Sequence, residues 1–264
     1  MELIKQLREM TGAGMVDCKK ALDEAGNDLD KAVEILRKKG ISKAAKRTDR
    51  EAKEGVIKVL ADEAEMKAYA VEVNCETDFV SRNEKFQALA DQILSVVRQE
   101  KPADLNALMS ANLDGLTVSD QLANFSGTIG EKLEIKRFAI LSGESVAAYS
   151  HLGGRLGVLV ALDKPGLGEL ASDIAMQVAA ANPKYVRSSE VNPEEMAKEK
   201  EIYREQLIKE GKPENMVDKI VEGKMGKYYS EVCLLDQEYI KDDKKKVKEI
   251  LGQADVSSFI RYSL

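Results

Sequence analysis

The sequence predicts an α+β protein, and three observations support this fold class. The first 40 residues have helical periodicity interrupted by glycines. Strand-like alternation begins after Gly55 and returns, followed again by a helix pattern, near residue 145. A strongly charged segment at about 192–229 has apolar residues at helical spacing. We therefore expect a three-helix N-terminal module, a duplicated two-lobed core with small antiparallel sheets and helices, and a projecting antiparallel helical hairpin.

The N-terminal module is predicted to span residues 1–40. Apolar residues recur there every three or four positions in three short stretches, which is typical of amphipathic helices. Two glycines in "TGAG", residues 11–14, end the first helix, and Gly26 ends the second. We place the end of the module at Gly40. The next residues, 41–54, are rich in Lys and Arg and poor in large apolar side chains, which indicates a linker or an exposed helix.

The core is predicted to consist of two lobes with the same plan. "GVIKVLA" and "MKAYAVEVN" alternate as strands around the acidic turn "DEAE", and a helix follows from Phe86. Later, "SVAAYSHLGGRLGVLVALD" and "ELASDIAMQVAAA" repeat a hairpin and a helix. Aligning "VEVN" with "VLVA" and "LADQI" with "LASDI" indicates an internal duplication. We assign residues 55–142 to the N-lobe and 143–264 to the C-lobe.

The C-lobe includes the charged arm at about 192–229. Its apolar residues lie on both sides of "GKP", residues 211–213, where glycine ends one helix and proline starts the next. This pattern predicts an antiparallel helical pair with a narrow apolar seam.

Composition and charge exclude several classes of protein. With 44% hydrophobic and 33% charged residues among 264, the chain has the composition of a folded globular protein. Forty Lys and Arg against 46 Asp and Glu give a net charge of −6, so the protein lacks the general positive field that attracts nucleic acid. Every long apolar stretch is interrupted by charges, and the N-terminus is amphipathic, so we expect neither a membrane span nor a signal peptide, and a cytoplasmic location.

Chemistry-bearing motifs are few. One histidine, His151, excludes a two-histidine metal motif, and the sequence contains no G-x-x-x-x-G-K-[ST] phosphate loop. Cys18, Cys75 and Cys233 form no C-x-x-C pair. We therefore expect no catalytic residues, no metal and no cofactor. An alternative is a thiol enzyme in which tertiary folding brings Cys75 to His151.

The segment "EVNCETDFVSRNEKF", residues 72–86, contains an unusual turn. The strand pattern ends before Thr77, and Phe79 stands beside Asp78 on the turn before the next helix. Considered locally, Phe79 would cover its own core, and Asp78 could cap a helix beginning near Val80.

Two long stretches resemble a known family together. "LREMTGAGMVDCKKAL", residues 7–22, and "EVNCETDFVSR", residues 72–82, are similar to the two signature motifs of the elongation factor Ts family. "IGEKLEIKRFAIL", "HLGGRLGVLVA" and the ending "FIRY" are similar as well. The resemblance covers essentially the whole chain. It implies a ubiquitin-associated-like N-terminal module and a two-lobed core.

The resemblance implies a guanine-nucleotide exchange factor for the translational GTPase elongation factor Tu, without catalytic chemistry of its own. Such a factor binds the GDP form of elongation factor Tu, displaces its Mg²⁺ and promotes GDP release so that GTP can bind. The residues that correspond to the Mg²⁺-dislocating element are Thr77, Asp78, Phe79 and Val80. Those that correspond to partner contacts are Met15, Val16, Lys19, Ile129, Gly130, His151 and Val232. Val232 is the weaker match, because "EVCLLDQEY" departs from its equivalents in the family.

Several expectations accompany this assignment. Met15 and Val16 directly follow a glycine-rich turn and cannot both face one helix stripe, so one of them should be exposed. We expect no direct nucleic-acid contact, and a dimer or a 2:2 complex with elongation factor Tu is an open alternative. The chain ends just after "FIRYSL", whereas some family members continue into a further helical module, so we expect that module's contact to be missing. A general adaptor remains the alternative that the three-helix module alone would favour.

Overall fold

The computed structural model describes residues 1–264, apart from the side chain of residue 45. The chain opens with a module of three helices: α1 (Glu2–Thr11), α2 (Met15–Glu24) and α3 (Leu29–Ala45). Gly12 ends α1 with φ 69°, a left-handed conformation that glycine adopts without steric cost. The module encloses a small core of its own, formed by Leu7, Cys18, Ala21, Leu22 and Ala32.

The N-lobe contains a three-stranded antiparallel sheet with β2 in the centre, between β1 and β5. Its elements in chain order are β1 (Glu54–Asp62), β2 (Lys67–Cys75), α4 (Asp78–Ser81), α5 (Glu84–Glu100), α6 (Leu105–Ser110), β3 (Asn112–Leu113), β4 (Leu116–Thr117), α7 (Val118–Ile129) and β5 (Glu134–Ser142). Alternate residues of β2, namely Tyr69, Val71 and Val73, pack in one core with Phe86 and Ile93 of α5. One face of the sheet is therefore covered by a helix.

The C-lobe repeats this arrangement. Its elements are β6 (Ser145–His151), β7 (Leu156–Leu162), α8 (Gly168–Ala181), α9 (Pro193–Lys209), α10 (Glu214–Val232), β8 (Glu238–Tyr239), β9 (Asp242–Lys246), α11 (Val247–Leu251) and β10 (Val256–Ser263). In both sheets a hairpin is followed by a helix and then by a third strand that pairs antiparallel with the second. The predicted α+β class and the duplication are confirmed, because the aligned segments lie in β2 and β7 and in α5 and α8.

The two sheets pack face to face through small side chains. Ala68 and Ala70 of β2 lie in one buried cluster with Leu159 and Ala161 of β7. Gly157 of β7 lies so close to the other sheet that an added Cβ would be 2.4 Å from Ile57 Cγ2. The core is thus a sandwich of two sheets with α5 and α8 on its outer faces. The last residues of β2 lie at one end of this sandwich.

The N-terminal module packs on the core through α3 and α7. The predicted boundary at Gly40 falls inside a helix, since α3 continues to Ala45. The reason is tertiary: Gly40 faces Gly127 of α7, where an added Cβ would lie 2.4 Å from the Cα of Gly40. Gly40 allows two helix backbones to approach closely and does not end α3.

The charged arm is formed by α9 and α10. Glu195, in the first turn of α9, fixes the base of the arm. Its carboxylate accepts hydrogen bonds from the hydroxyls of Tyr185 and Tyr228, each at 2.7 Å. The pKa of Glu195 is lowered to about 2. The hydrogen bond from Tyr185 is the largest cause, followed by those from Tyr228 and Lys184. No helix among the described residues is both long enough and apolar enough to cross a membrane.

Candidate functional site

The segment after β2 is a single helical turn, α4, and its cap differs from the one predicted. The hydroxyl oxygen of Thr77 accepts the backbone N–H of Val80 at 3.4 Å, so Thr77 is the N-cap. Asp78 is already the first helical residue, and its carboxylate pairs with Arg82 at 3.0 Å. The local prediction that Asp78 caps a helix beginning near Val80 is therefore wrong, because the helix begins two residues earlier.

The geometry of α4 directs Phe79 away from the protein. Val80 is half-buried against the N-lobe core, and Ser81 is buried. Because consecutive residues of a helix point in directions about 100° apart, the preceding side chain faces outward. Phe79 is 84% exposed, so the local prediction that it covers its own core is wrong.

The turn at Thr77 lies beside the end of α7. The Oε2 atom of Glu131 accepts the backbone N–H groups of Glu76 and Thr77, both at 3.1 Å. Ile129 and Gly130 directly precede this carboxylate in the chain, and Gly130 ends α7 with φ 84°. The structure thus brings the Thr77–Val80 turn and the Ile129–Gly130 turn together, as the separate sequence motifs could not show.

His151 lies at the same end of the sandwich. Its neighbour Arg155 forms an ion pair with Glu54 at 2.5 Å, and Glu54 pairs in register with Cys75 at the end of β2. The His151 ring is exposed and stacks on Tyr149, whose hydroxyl lies 3.1 Å from His151 Nδ1.

Leu152 is a residue that the sequence reasoning missed. Its side chain is 69% exposed, and its backbone has φ 52°. A large apolar residue in a turn between a histidine and two glycines is the signal that could have identified it. Its exposure beside His151 adds an apolar side chain to this end of the protein.

The N-terminal module contributes a second apolar surface. Met15 and Val16 are 59% and 67% exposed, and Lys19 is exposed as well. The sequence predicted that one of the first two would be exposed, but both are, because α2 directs Cys18, Ala21 and Leu22 into the module core. An added Cβ on Gly12, in the turn before Met15, would lie 3.2 Å from Thr128 Cγ2, so this surface adjoins the end of α7.

Val232 occupies a different place, as the last residue of α10. Its side chain is half-buried at the base of the arm. Its carbonyl accepts the N–H groups of Lys184 and Tyr185, at 2.8 and 3.1 Å. These contacts hold the arm to the C-lobe, and Val232 belongs to no cluster with Phe79 or His151.

The three thiols are buried and have raised pKa values. Burial, followed by the charges of Glu131 and Glu54, raises the pKa of Cys75 to about 12. Burial also raises the pKa of Cys233 to about 11 and that of Cys18 above its ordinary value. Cys75 donates its S–H to the carbonyl of Thr77 at 3.2 Å and thereby supports the turn. Among the described residues, no group of three His, Cys, Asp or Glu side chains is arranged to hold a metal ion.

We expect the native protein to resist thiol alkylation. With a pKa of about 12, only roughly one Cys75 in 10⁴ is a thiolate at pH 8, and the thiolate is the reactive form. Iodoacetamide labelling followed by mass spectrometry should modify none of the three cysteines in the folded protein within minutes, and all three after unfolding. Rapid labelling of native Cys75 would instead favour the thiol-enzyme alternative.

Comparison with known proteins identifies the family. Residues 76–264 match the family model described as elongation factor TS. A protein named elongation factor Ts from Deinococcus deserti is 46% identical over 265 residues, an alignment that covers 100% of this chain and 99% of the relative. The chain belongs to the elongation factor Ts family. It is accordingly an elongation factor of protein biosynthesis, which confirms the resemblance found in the sequence.

The two comparisons cover the signature motifs of this elongation factor Ts family member to different extents. The matched region begins at Glu76, where β2 passes into α4, and extends through the rest of the N-lobe, the C-lobe and the arm. The first signature stretch, residues 7–22, lies before that region but within the full-length alignment to the relative.

Proposed function

We propose that this protein binds elongation factor Tu in its GDP form and accelerates the release of GDP, so that GTP can bind. The observation that supports this most directly is Phe79, an 84% exposed aromatic residue on a one-turn helix at the end of the buried central strand β2. Exposed aromatic side chains of this kind commonly dominate the energetics of protein interfaces.

The proposed mechanism needs no chemistry on this chain. An exchange factor works by binding the nucleotide-free GTPase more tightly than the nucleotide-bound one, and linkage requires GDP to weaken the factor's binding by the same ratio. Mg²⁺ bridges protein and phosphate in a GTPase, so moving its ligands lowers nucleotide affinity. Phe79 would insert between elements of the GTPase near this ion, with Thr77, Asp78 and Val80 shaping the inserted turn.

The other proposed contact residues would bind the partner around this point. Met15, Val16 and Lys19 would contact the nucleotide-binding domain from the module, while Ile129, Gly130 and His151 would contact the partner from the core. We assign Val232 a weaker role, because the surrounding "EVCLLDQEY" departs from the equivalent segments of the family.

A stopped-flow assay tests the proposal. Elongation factor Tu is loaded with a fluorescent GDP derivative and mixed with excess GDP, with or without this protein. We expect the fluorescent nucleotide to leave much faster when the protein is present, and the rate to saturate as its concentration rises. A protein that leaves the release rate unchanged at saturating concentration would contradict the proposal.

A further inference from the structure

We propose that Glu131 is the positioning residue that holds the Phe79 turn in the orientation required for exchange. This inference rests on the proposed function and deepens it, because it concerns how the same site is kept ready for its partner. Glu131 forms no hydrogen bond with Phe79 and would act through Glu76 and Thr77, the residues that lead into the turn.

The Glu131 carboxylate binds the turn through three hydrogen bonds. Its Oε2 atom accepts the N–H groups of Glu76 and Thr77 at 3.1 Å, and its Oε1 atom accepts the Thr77 hydroxyl at 2.6 Å. The carboxylate of Glu76 in turn accepts a hydrogen bond from the backbone N–H of Lys132 at 2.6 Å. This hydrogen bond makes the largest contribution to lowering the pKa of Glu76. The two adjacent chain segments, residues 76–77 and 131–132, are therefore joined reciprocally.

The turn needs external support of this kind. A helix of four residues is too short to be stable by itself, because nucleation costs more than its few hydrogen bonds return. Phe79 is exposed and so contributes little packing that could fix its own direction. The carboxylate of Glu131 binds the two residues that directly precede α4, one of which is the N-cap Thr77, and it can fix the direction in which Phe79 projects.

A second set of contacts holds Glu131 itself. The Ser126 hydroxyl donates to the backbone carbonyl of Glu131 at 2.5 Å, and Arg47 donates to the carbonyl of Ser126 at 2.8 Å. Arg50 donates to Glu76 at 3.2 Å, while Lys132 Nζ donates to the carbonyl of Arg50 at 2.9 Å. The segment after α3 is thus tied to the same point. A preorganised turn loses less entropy on binding than a mobile one, which is how a residue that acts through the turn can raise the exchange rate.

A double-mutant cycle on the full-length protein tests the proposal. The kcat/KM for fluorescent GDP release from elongation factor Tu is measured for wild type, Glu131→Ala, Phe79→Ala and the double variant. We expect Glu131→Ala to lower kcat/KM about tenfold or more, since it removes three hydrogen bonds to a charged group. In the Phe79→Ala background the same change should cost less than about twofold, because its effect passes through Phe79.

Glu190→Ala is the matched control. Glu190 also accepts a backbone N–H through its carboxylate, that of Val186 at 2.9 Å, but it lies in the C-lobe, before the arm. Its replacement should leave kcat/KM unchanged. Melting temperatures are recorded for every variant, and if Glu131→Ala fails to fold the cycle is run with Glu131→Gln, which keeps one acceptor oxygen.

The outcomes separate the two proposals. A wild-type protein that does not accelerate release contradicts the proposed function itself. If wild type accelerates release and Glu131 replacement costs the same factor with and without Phe79, the positioning role is wrong. A loss that disappears in the Phe79→Ala background, with the melting temperature retained, supports it.

Discussion

Replacing Phe79 with alanine is expected to reduce the acceleration of GDP release by at least about tenfold while leaving the fold intact. The side chain is 84% exposed, so its removal creates no cavity and should change the free energy of unfolding by less than about 0.5 kcal/mol. An aromatic residue at the centre of an interface can contribute about 2 kcal/mol or more, which corresponds to a factor of roughly 30. Stopped-flow exchange and thermal unfolding, measured on the same sample, separate the two effects.

Met66→Ala is the control for this prediction. Met66 is 48% exposed and precedes β2, so it lies at the opposite end of the strand that leads to Phe79. Removing an exposed apolar side chain there should leave exchange unchanged. Equal losses for both variants would mean that a general decrease in surface hydrophobicity, and not a specific contact of Phe79, controls the rate.

Gly157→Ala is expected to destabilise the core by about 1–3 kcal/mol, the usual cost of overpacking a close-packed interior. The added methyl group would lie 2.4 Å from Ile57 Cγ2 and 2.8 Å from Val59 Cγ1, so the two sheets would have to separate. Urea unfolding should show a lower transition midpoint with an unchanged slope.

Gly223→Ala, in contrast, is expected to increase the stability of the protein. Gly223 lies in α10 with no atom within 4 Å of an added Cβ, so alanine gains helix propensity without a clash. We expect the arm to be stabilised by about 0.5–1 kcal/mol. If Gly157→Ala increased stability as much as Gly223→Ala, the prediction for Gly157 would be wrong. The two sheets would then not be in tight face-to-face contact.

Features that depend on local periodicity could be predicted from the sequence. The helical arm is an example: "GKP" separates α9 and α10, as glycine and proline chemistry indicates. The duplication is another, since the hairpin and helix patterns repeat along the chain and the two sheets have the same strand arrangement. Both signals come from the spacing of neighbouring residues, which one sequence records completely.

Features that depend on contacts between distant segments could not be predicted in this way. Gly40 resembles a helix stop in the sequence, yet it lies inside α3 because Gly127, 87 positions later, packs against it. The position of Leu152 between a histidine and two glycines marks it in the sequence, but its exposure depends on the strand ends around it. Glu131 has no recognisable signal, since its three partners are 54 and 55 positions away.

The sequence by itself determined the family, the α+β class, the duplicated plan and the residues of the Phe79 turn, because these follow from motifs and periodicities written in consecutive residues. Only the tertiary structure decided that Thr77 caps the turn, that Val80 points inward and Phe79 outward, and that Glu131 binds Glu76 and Thr77 just before them. The physical reason is that burial and hydrogen bonding of a short turn depend on which distant groups surround it. A helix of four residues cannot specify its own orientation.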